Sequence, residues 1–432
     1  MQAWGLTDPG CVRVQNQDAY GVHTFEEDSL LCTVCDGMGG AKSGNVASSL
    51  ALQIFMQEVT RLRKPGMSQE QAGQMFREAV RLANFTVYDQ SRQFEDFEGM
   101  GTTLVAAYVD HQMAVIANVG DSRAYYWAED TLQQITVDHT RVQALLEQAG
   151  LETDMFTDIL PEPKVEGMLL AAKAVKAKPY TLVVGLGGGS ALDTAKMTAL
   201  FATSAYDPMT LMRDESLCTE GLPTILLPTT SGAGSEISPF IVISDNGDKF
   251  FVDHPCVYGT VAIVDPLLTA TMSPRITAAT GLDALTHGVE GVCGANMANP
   301  YSMALSERCV ELVFHWLPVA VREPQNLEAR YYMSFAAVLG MMAYIQGGGL
   351  YAHSMSYILT KHLGLPHGMG CGITLPYTLE YNSAYLDAVL VQYGKVLFGK
   401  QVPKEEVLKA FRDLVVRVGM PASLREAGMK QE

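Results

Sequence analysis

A chain of 432 residues is long enough for two or three domains with sizeable cores. Its 48% hydrophobic and 18% charged content is that of an ordinary globular protein. The formal net charge of −17, with no local basic patch, excludes a nucleic-acid partner, because phosphates would be repelled.

The first residues, Met1 to Gly5, carry no basic segment followed by an apolar one, so no signal peptide is expected. Residues 30–35, 103–109, 114–119 and 124–127 are short β-type runs bounded by Gly, Asp and Asn. Helices are expected over 43–63 and 68–90; in the first, Val46, Leu50, Ile54 and Val59 recur near helical spacing. Strands at both ends with helices between them predict an α+β layer fold. Cys32 and Cys35 form a C-x-x-C, but in a strand they face opposite ways and no second pair completes a zinc site. The eight cysteines, at scattered spacings, read as reduced thiols of a cytoplasmic protein.

The texture changes after residue 140. A helix is expected over 142–149, stopped by Gly150. A strand at 180–185 runs into Gly187-Gly188-Gly189-Ser190 and a helix at 191–203, a nucleotide-binding pattern. Residues 224–227 and 261–264 are apolar strands of the parallel kind. From residue 273 the chain reads as helical. Its longest apolar run, 335–345, falls short of the roughly 20 residues a bilayer requires and predicts a buried helix, so no membrane partner is expected.

Two groups of residues carry chemistry. In the first, Asp36 ends a strand before Gly37-Met38-Gly39-Gly40, Asp18 follows Arg13, and Asp121 lies in Gly120-Asp121-Ser122-Arg123. Carboxylates with an arginine suit Mg²⁺ or Mn²⁺ and a phosphate, but on spacing alone they read first as turn formers. In order, Thr7-Asp8-Pro9-Gly10, Arg13 to Asp18, Val34 to Gly40, Gly99 to Thr103, Asn118 to Tyr125 and Thr136 to His139 closely resemble the bacterial PPM-type (type 2C) serine/threonine phosphatases. The resemblance implies a β-sandwich with helices and a phosphoprotein substrate. Arg13 would hold the phosphate; Asp18, Asp36 and the Gly37 carbonyl would bind a metal pair, and Asp121 a third ion. The family's later strands and aspartate ligands have no equivalents after Asp138.

In the second group, Asp283 and His287 are four apart on one helix face, His353 follows a glycine stretch, and His367 sits between Pro366 and Gly368. One carboxylate and three imidazoles suit Fe²⁺ or Zn²⁺; ordinary helix and loop histidines are the alternative. The run Gly187 to Ser190 with Asp193 to Lys196, Pro228 to Glu236, Val264-Asp265-Pro266, Gly281 to His287, and His353 with Pro366-His367-Gly368 strongly resembles the iron-containing (group III) alcohol dehydrogenases. The resemblance implies that Asp283, His287, His353 and His367 hold the metal. It places Gly187, Gly188, Gly189, Ser190 and Asp193 at the diphosphate of NAD or NADP, and Thr229, Thr230 and Lys249 beside the ribose and nicotinamide. A small alcohol or aldehyde would be the substrate, a homo-oligomer the assembly. Tyr357 stands where some members have a histidine.

The two resemblances meet within 136–150. The expected domains are 1–140, a partial phosphatase-like domain; 141–272, an NAD(P)-binding α/β domain lacking its first strand; and 273–432, an all-α metal-binding domain. A fusion of two partial enzymes accounts for this. Its expected activity is the dehydrogenase; the alternatives are a phosphoprotein phosphatase or an inactive hybrid.

Overall fold

The computed structural model describes residues 1–9, 15–25, 29–38, 43–97, 99–128, 130–136, 146, 148–157, 159, 165–245, 248–294, 298–348 and 351–429. They form two compact units, Met1–Met155 and Phe156–Glu432. The expected boundary at 140, most of the helix at 142–149, Arg13, Asp138 and His139 lie outside the described residues.

In the first unit β1 (Asp18–Phe25), β2 (Ser29–Met38), β4 (Leu104–Val109) and β5 (Ala114–Val119) form an antiparallel sheet in that order. The two-residue β3 (Gly101–Thr102) pairs with the end of β2. Helices α1 (Gly44–Leu62) and α2 (Gln69–Gln93) cover one face. Leu31, Cys35, Phe55, Val59, Phe76 and Leu104 make the core there, with the Phe55 and Phe76 rings 5.4 Å apart. A capping box, Ser68 with Gln71, starts α2. The other face exposes Tyr20, Val22 and Val34. The Cys32 and Cys35 side chains do alternate, Cys35 inward. A separate hairpin pairs β6 (Tyr125–Ala128) with β7 (Thr131–Gln134). Strands β1 and β7 were not foreseen: β1 holds Gly21 and His23 among few large apolar residues, and all of β7 is exposed.

The second unit begins as α/β. Helix α3 (Val165–Val175) precedes β8 (Val183–Gly187), α4 (Gly189–Thr203), α5 (Pro208–Arg213) and β9 (Thr224–Pro228). The hairpin β10 (Phe240–Asp245) and β11 (Asp248–Asp253) and the short β12 (Val261–Ala262) follow. Strands β12, β9 and β8 form a parallel sheet in that order. The expected strand at 180–185 starts later, because pairing begins at Val183, whose N–H donates to the Pro223 carbonyl (3.0 Å). Leu192 and Ala195 of α4 pack on Leu226 of β9. Val184, Leu186, Val261 and Ile263 are exposed, although parallel sheets are normally covered on both faces. The β10–β11 hairpin, which the sequence reading did not foresee, packs Ile241, Ile243 and Val252 against Met197 and Leu200.

From Pro274 on, the regular elements among the described residues are helical: α6 (Pro274–Glu290), α7 (Pro300–Arg322), α8 (Leu327–Gly347), α9 (Tyr351–Leu363), α10 (His367–Tyr381), α11 (Asp387–Phe398) and α12 (Lys404–Arg417). Ser273 caps α6 through the Ile276 N–H, and Asn299 caps α7 in a box with Ser302. Leu282, Leu285, Val289, Val313, Leu317 and Met333 lie at the centre of the shared core. The apolar run 335–345 is inside α8, with Ala336, Ala337 and Met341 buried. Among the described residues no single helix is long and apolar enough to cross a membrane.

Candidate active site

Three helices meet at one cluster. Asp283, His287 and Glu290 occupy one face of α6, at i, i+4 and i+7. His353 stands near the start of α9, and His367 is the first residue of α10. A Cβ on Gly368 would lie 2.3 Å from the Ala279 carbonyl oxygen and 3.1 Å from the Asp283 Cβ, so only glycine lets α10 begin against α6. One turn after His367 comes the buried Cys371.

The geometry converges on Asp283 Oδ1. His353 Nε2 lies 3.8 Å from it and His367 Nε2 3.6 Å. Single donor atoms of Asp283, His353, His367 and Cys371 all fall within 4.8 Å of one another. His287 stacks on His353, centroids 4.6 Å apart, with the Tyr344 ring edge-on at 5.0 Å. Asp283 (5% exposed), His287 (6%) and His353 (4%) are buried, while a quarter of the His367 side chain is exposed. Asp283 Oδ1, His353 Nε2 and His287 Nδ1 are buried without hydrogen-bond partners. Orphaned buried polar atoms are costly, and Asp283 Oδ1 and His353 Nε2, which fall in one close donor group, fit a bound divalent cation. Asp283, His353 and His367 thus bring donor atoms together in a group that fits a divalent cation, and His287, the fourth expected position, stacks on His353 beside it.

Other side chains hold the ligands. The Glu290 carboxylate lies 2.5 Å from His353 Nδ1 and accepts the Ala352 N–H at 2.7 Å. Ser356 Oγ lies 2.9 Å from His367 Nδ1 and donates to the His353 carbonyl. Burial pushes the His287 pKa down to about 3, against the pull of Asp283. Burial opposes charge on His353 too, but Cys371 and Glu290 beside it hold its pKa well above the usual value. Burial and the neighbouring His353 charge take His367 well below the usual value. Burial pushes the Cys371 thiol up, with His353 opposing it.

A cavity of about 670 Å³ joins this cluster to the glycine turn. Gly188, Gly189, Ser190 and Thr230 line its other end, with Lys249 and Tyr357 also facing it. Gly187 takes φ +152°, and a Cβ there would lie 2.6 Å from the Ala191 Cβ. Gly188 is the N-cap of α4 and no side chain caps that helix, which leaves an anion-seeking N-terminus. Thr229 donates its N–H to the Gly187 carbonyl (2.8 Å) and fastens the turn to β9. Asp193 is committed within the chain: it accepts from Ser235 Oγ (2.5 Å) and Val242 N (3.0 Å) and pairs with the fully buried Lys196 (3.4 Å). Lys249 Nζ sits 5.6 Å from the centroid of the Tyr357 ring, which stacks on His367.

In the first unit Asp18 and Asp36 are cross-strand partners on β1 and β2. The backbone of Gly37 is held by the Gln17 carbonyl. Asp121 is exposed in the turn after β5, where Ser122 Oγ meets Thr103 Oγ1 at 2.5 Å. Among the described residues these three aspartates form no group of three or more close donor atoms; the group at Asp283 does.

Comparison with known proteins follows the same division. The family described as "Iron-containing alcohol dehydrogenase" matches residues 108–266, and "Fe-containing alcohol dehydrogenase family, C-terminal" matches 277–432. "Long-chain-alcohol dehydrogenase 1" of Geobacillus thermodenitrificans is 35% identical over 300 residues, which cover 67% of this chain and 76% of that one. The chain belongs to the iron-containing alcohol dehydrogenases. "Probable alcohol dehydrogenase EutG" of Salmonella typhimurium is 32% identical, covering 63% of this chain and 69% of its own length. The solved sulfoacetaldehyde reductase from Bifidobacterium kashiwanohense, in complex with NAD+, aligns with a TM-score of 0.63 at 31% identity over 67% of this chain and 77% of that one. The N-terminal part is phosphatase-like: "Protein phosphatase 2C" matches residues 13–172, overlapping the dehydrogenase match over 108–172. The expected seam falls inside that overlap.

In this dehydrogenase the sequence reading missed Glu290, Ser356 and Cys371. Glu290 was findable, since it extends the Asp283–His287 spacing by one more turn. Cys371 follows His367 by one helical turn and was findable in the same way, whereas Ser356 reaches His367 only through the packing of α9 on α10.

Proposed function

We propose that the chain transfers hydride between an alcohol and its aldehyde or ketone, using NAD or NADP and a divalent metal held by Asp283, His287, His353 and His367. The observation that carries this is the single cavity running from an uncapped helix N-terminus to the close donor group of Asp283, His353 and His367, in which Asp283 Oδ1 and His353 Nε2 are unpartnered. The NAD+ complex of the sulfoacetaldehyde reductase supports the cofactor. A bound cation supplies Lewis acidity at the substrate oxygen. Gly188, Gly189 and Ser190 receive the diphosphate with backbone N–H groups. Thr230 and Lys249 line the path toward the metal ligands and orient the nicotinamide end. The buried walls exclude water from the reacting carbon. Hydride chemistry belongs to the cofactor, and the protein contributes position and field.

The test is reduction of NAD+ and NADP+ by a panel of short primary alcohols and diols, with Fe²⁺ or Zn²⁺ added. Turnover by the intact chain, lost in His367→Ala, is expected. A folded, metal-loaded chain without turnover overturns the activity and leaves an inactive hybrid.

A second reading concerns the first unit. Its sheet has helices on one face and an exposed apolar face on the other, as half of a PPM-type β-sandwich would. The opposed Asp18 and Asp36, the Gly37 carbonyl and Asp121 would hold Mg²⁺ or Mn²⁺, with Arg13 on the phosphate of a phosphoprotein. Manganese-dependent phosphoester hydrolysis that Asp36→Ala abolishes would establish it; its absence in the intact chain removes it. The described cysteines are free thiols, which supports a cytoplasmic location.

A further inference from the structure

The set of three histidines and one carboxylate omits one donor. Cys371 Sγ lies 3.7 Å from His367 Nε2, and it falls in the same 4.8 Å group as the ligand atoms of Asp283, His353 and His367. It reaches that place because it follows His367 by one helical turn on α10, on the same face. The residue is fully buried. Asp283 Oδ1 and His353 Nε2, at the centre of the same group, are buried with no hydrogen-bond partner, so the group is an assembled cavity for a cation and not a stray thiol on a wall.

We propose that Cys371 is a sulfur ligand of the metal centre, giving this chain a donor set of carboxylate oxygen, imidazole nitrogen and thiolate, suited to Zn²⁺ over the harder divalent cations. The proposal rests on the metal-binding reading above and adds to it the donor that decides metal preference. Coordination replaces the S–H bond by a metal–sulfur bond, and the proton leaves to solvent. Thiolate is a soft ligand that favours zinc, whereas oxygen-rich sites favour magnesium and manganese. With Asp283 it places two anionic ligands on a doubly charged ion.

The experiment is anaerobic titration of the intact, metal-free chain with Co²⁺, read by absorption. Expected are visible d–d bands of a bound cobalt together with a near-ultraviolet sulfur-to-cobalt charge-transfer band. In Cys371→Ser the d–d bands persist and the charge-transfer band is lost; Zn²⁺ affinity falls by at least the roughly 10–100-fold that loss of an outer-shell partner costs. X-ray absorption of the unmutated zinc form, which needs no variant to fold, should show a zinc–sulfur distance of about 2.3 Å. Cobalt bands without a charge-transfer band, or a band that survives Cys371→Ser, overturn the sulfur ligand and leave the metal site standing. A folded chain that takes up no cobalt overturns the metal site and the sulfur ligand together.

Discussion

Glu290 Oε2 lies 2.5 Å from His353 Nδ1, while its Oε1 accepts the Ala352 N–H at 2.7 Å. The carboxylate therefore serves two donors at once, fixes the imidazole tautomer, and turns Nε2 toward Asp283 (3.8 Å). A glutamine has one acceptor oxygen and one donor nitrogen, so it can satisfy only one of these partners. Glu290→Gln should lower metal affinity by roughly 10–100-fold while activity returns at saturating metal. Competition against a chelator measures it. An affinity equal to that of the unmutated chain would show that His353 needs no such support.

The same cluster shows how much was legible in advance. Asp283 and His287 announce themselves by helical spacing, and Glu290 could have been read from it. His353 and His367 join the set by donor chemistry, with ordinary helix and loop histidines the alternative until the family resemblance is weighed, because no local periodicity links α6, α9 and α10. Cys371 shares helical spacing with His367, but its approach to Asp283 depends on Gly368 allowing α10 to start against Ala279. The glycine turn before α4 was read correctly as a strand–loop–helix unit. Asp193, expected at the diphosphate, lines the cavity beside the glycine turn, and its carboxylate is also engaged by Ser235, Val242 and Lys196. Such commitments are tertiary and leave no trace in spacing. The hairpin β10–β11 escaped for a related reason, since its packing on α4 and not its pattern defines it.

Asp193→Ala tests that commitment. Lys196 is fully buried and donates to the carbonyls of Ser235, Ser238 and Phe240, and burial lowers its pKa while Asp193 opposes that. Removing one partner of a buried pair typically costs about 3–5 kcal/mol. Denaturant unfolding followed by far-ultraviolet circular dichroism should show the dehydrogenase transition shifted by about that amount. Asp193→Asn, which keeps an acceptor for Ser235, should lose less. An unchanged transition in Asp193→Ala would mean that Lys196 is satisfied by carbonyls alone.

Arg330 of α8 is completely buried, and among the described residues its guanidinium bonds three neutral oxygens. Its guanidinium donates to the Pro324 carbonyl (2.9 Å), Thr277 Oγ1 (2.8 Å) and the Met272 carbonyl (3.1 Å), tying the start of α6 to α8. Burial lowers its pKa without neutralising a group so basic. Arg330→Met leaves those acceptors unpaired at about 1–3 kcal/mol each in the unrelaxed limit. Arg330→Lys cannot reproduce the planar fork and should recover only part of the loss. Thermal unfolding of both variants decides it, and a lysine variant as stable as the parent would refute the geometric argument.

Two glycines near His367 separate space from strain. Gly364 ends α9 at φ +64° with nothing within 4 Å of an added Cβ, so Gly364→Ala costs only the left-handed backbone, about 1–2 kcal/mol. Gly368 has no such φ, but its Cβ would sit 2.3 Å from the Ala279 backbone oxygen, which cannot swing aside. Gly368→Ala must push α10 away from α6 and carry His367 and Cys371 off Asp283. The expected pattern is a stability loss of about 1–3 kcal/mol, similar to that of Gly364→Ala, but with metal binding lost only in Gly368→Ala. Parallel unfolding and metal titrations of the two variants supply the comparison. Equal metal affinity in both would place the ligands' alignment on something other than the α6–α10 contact.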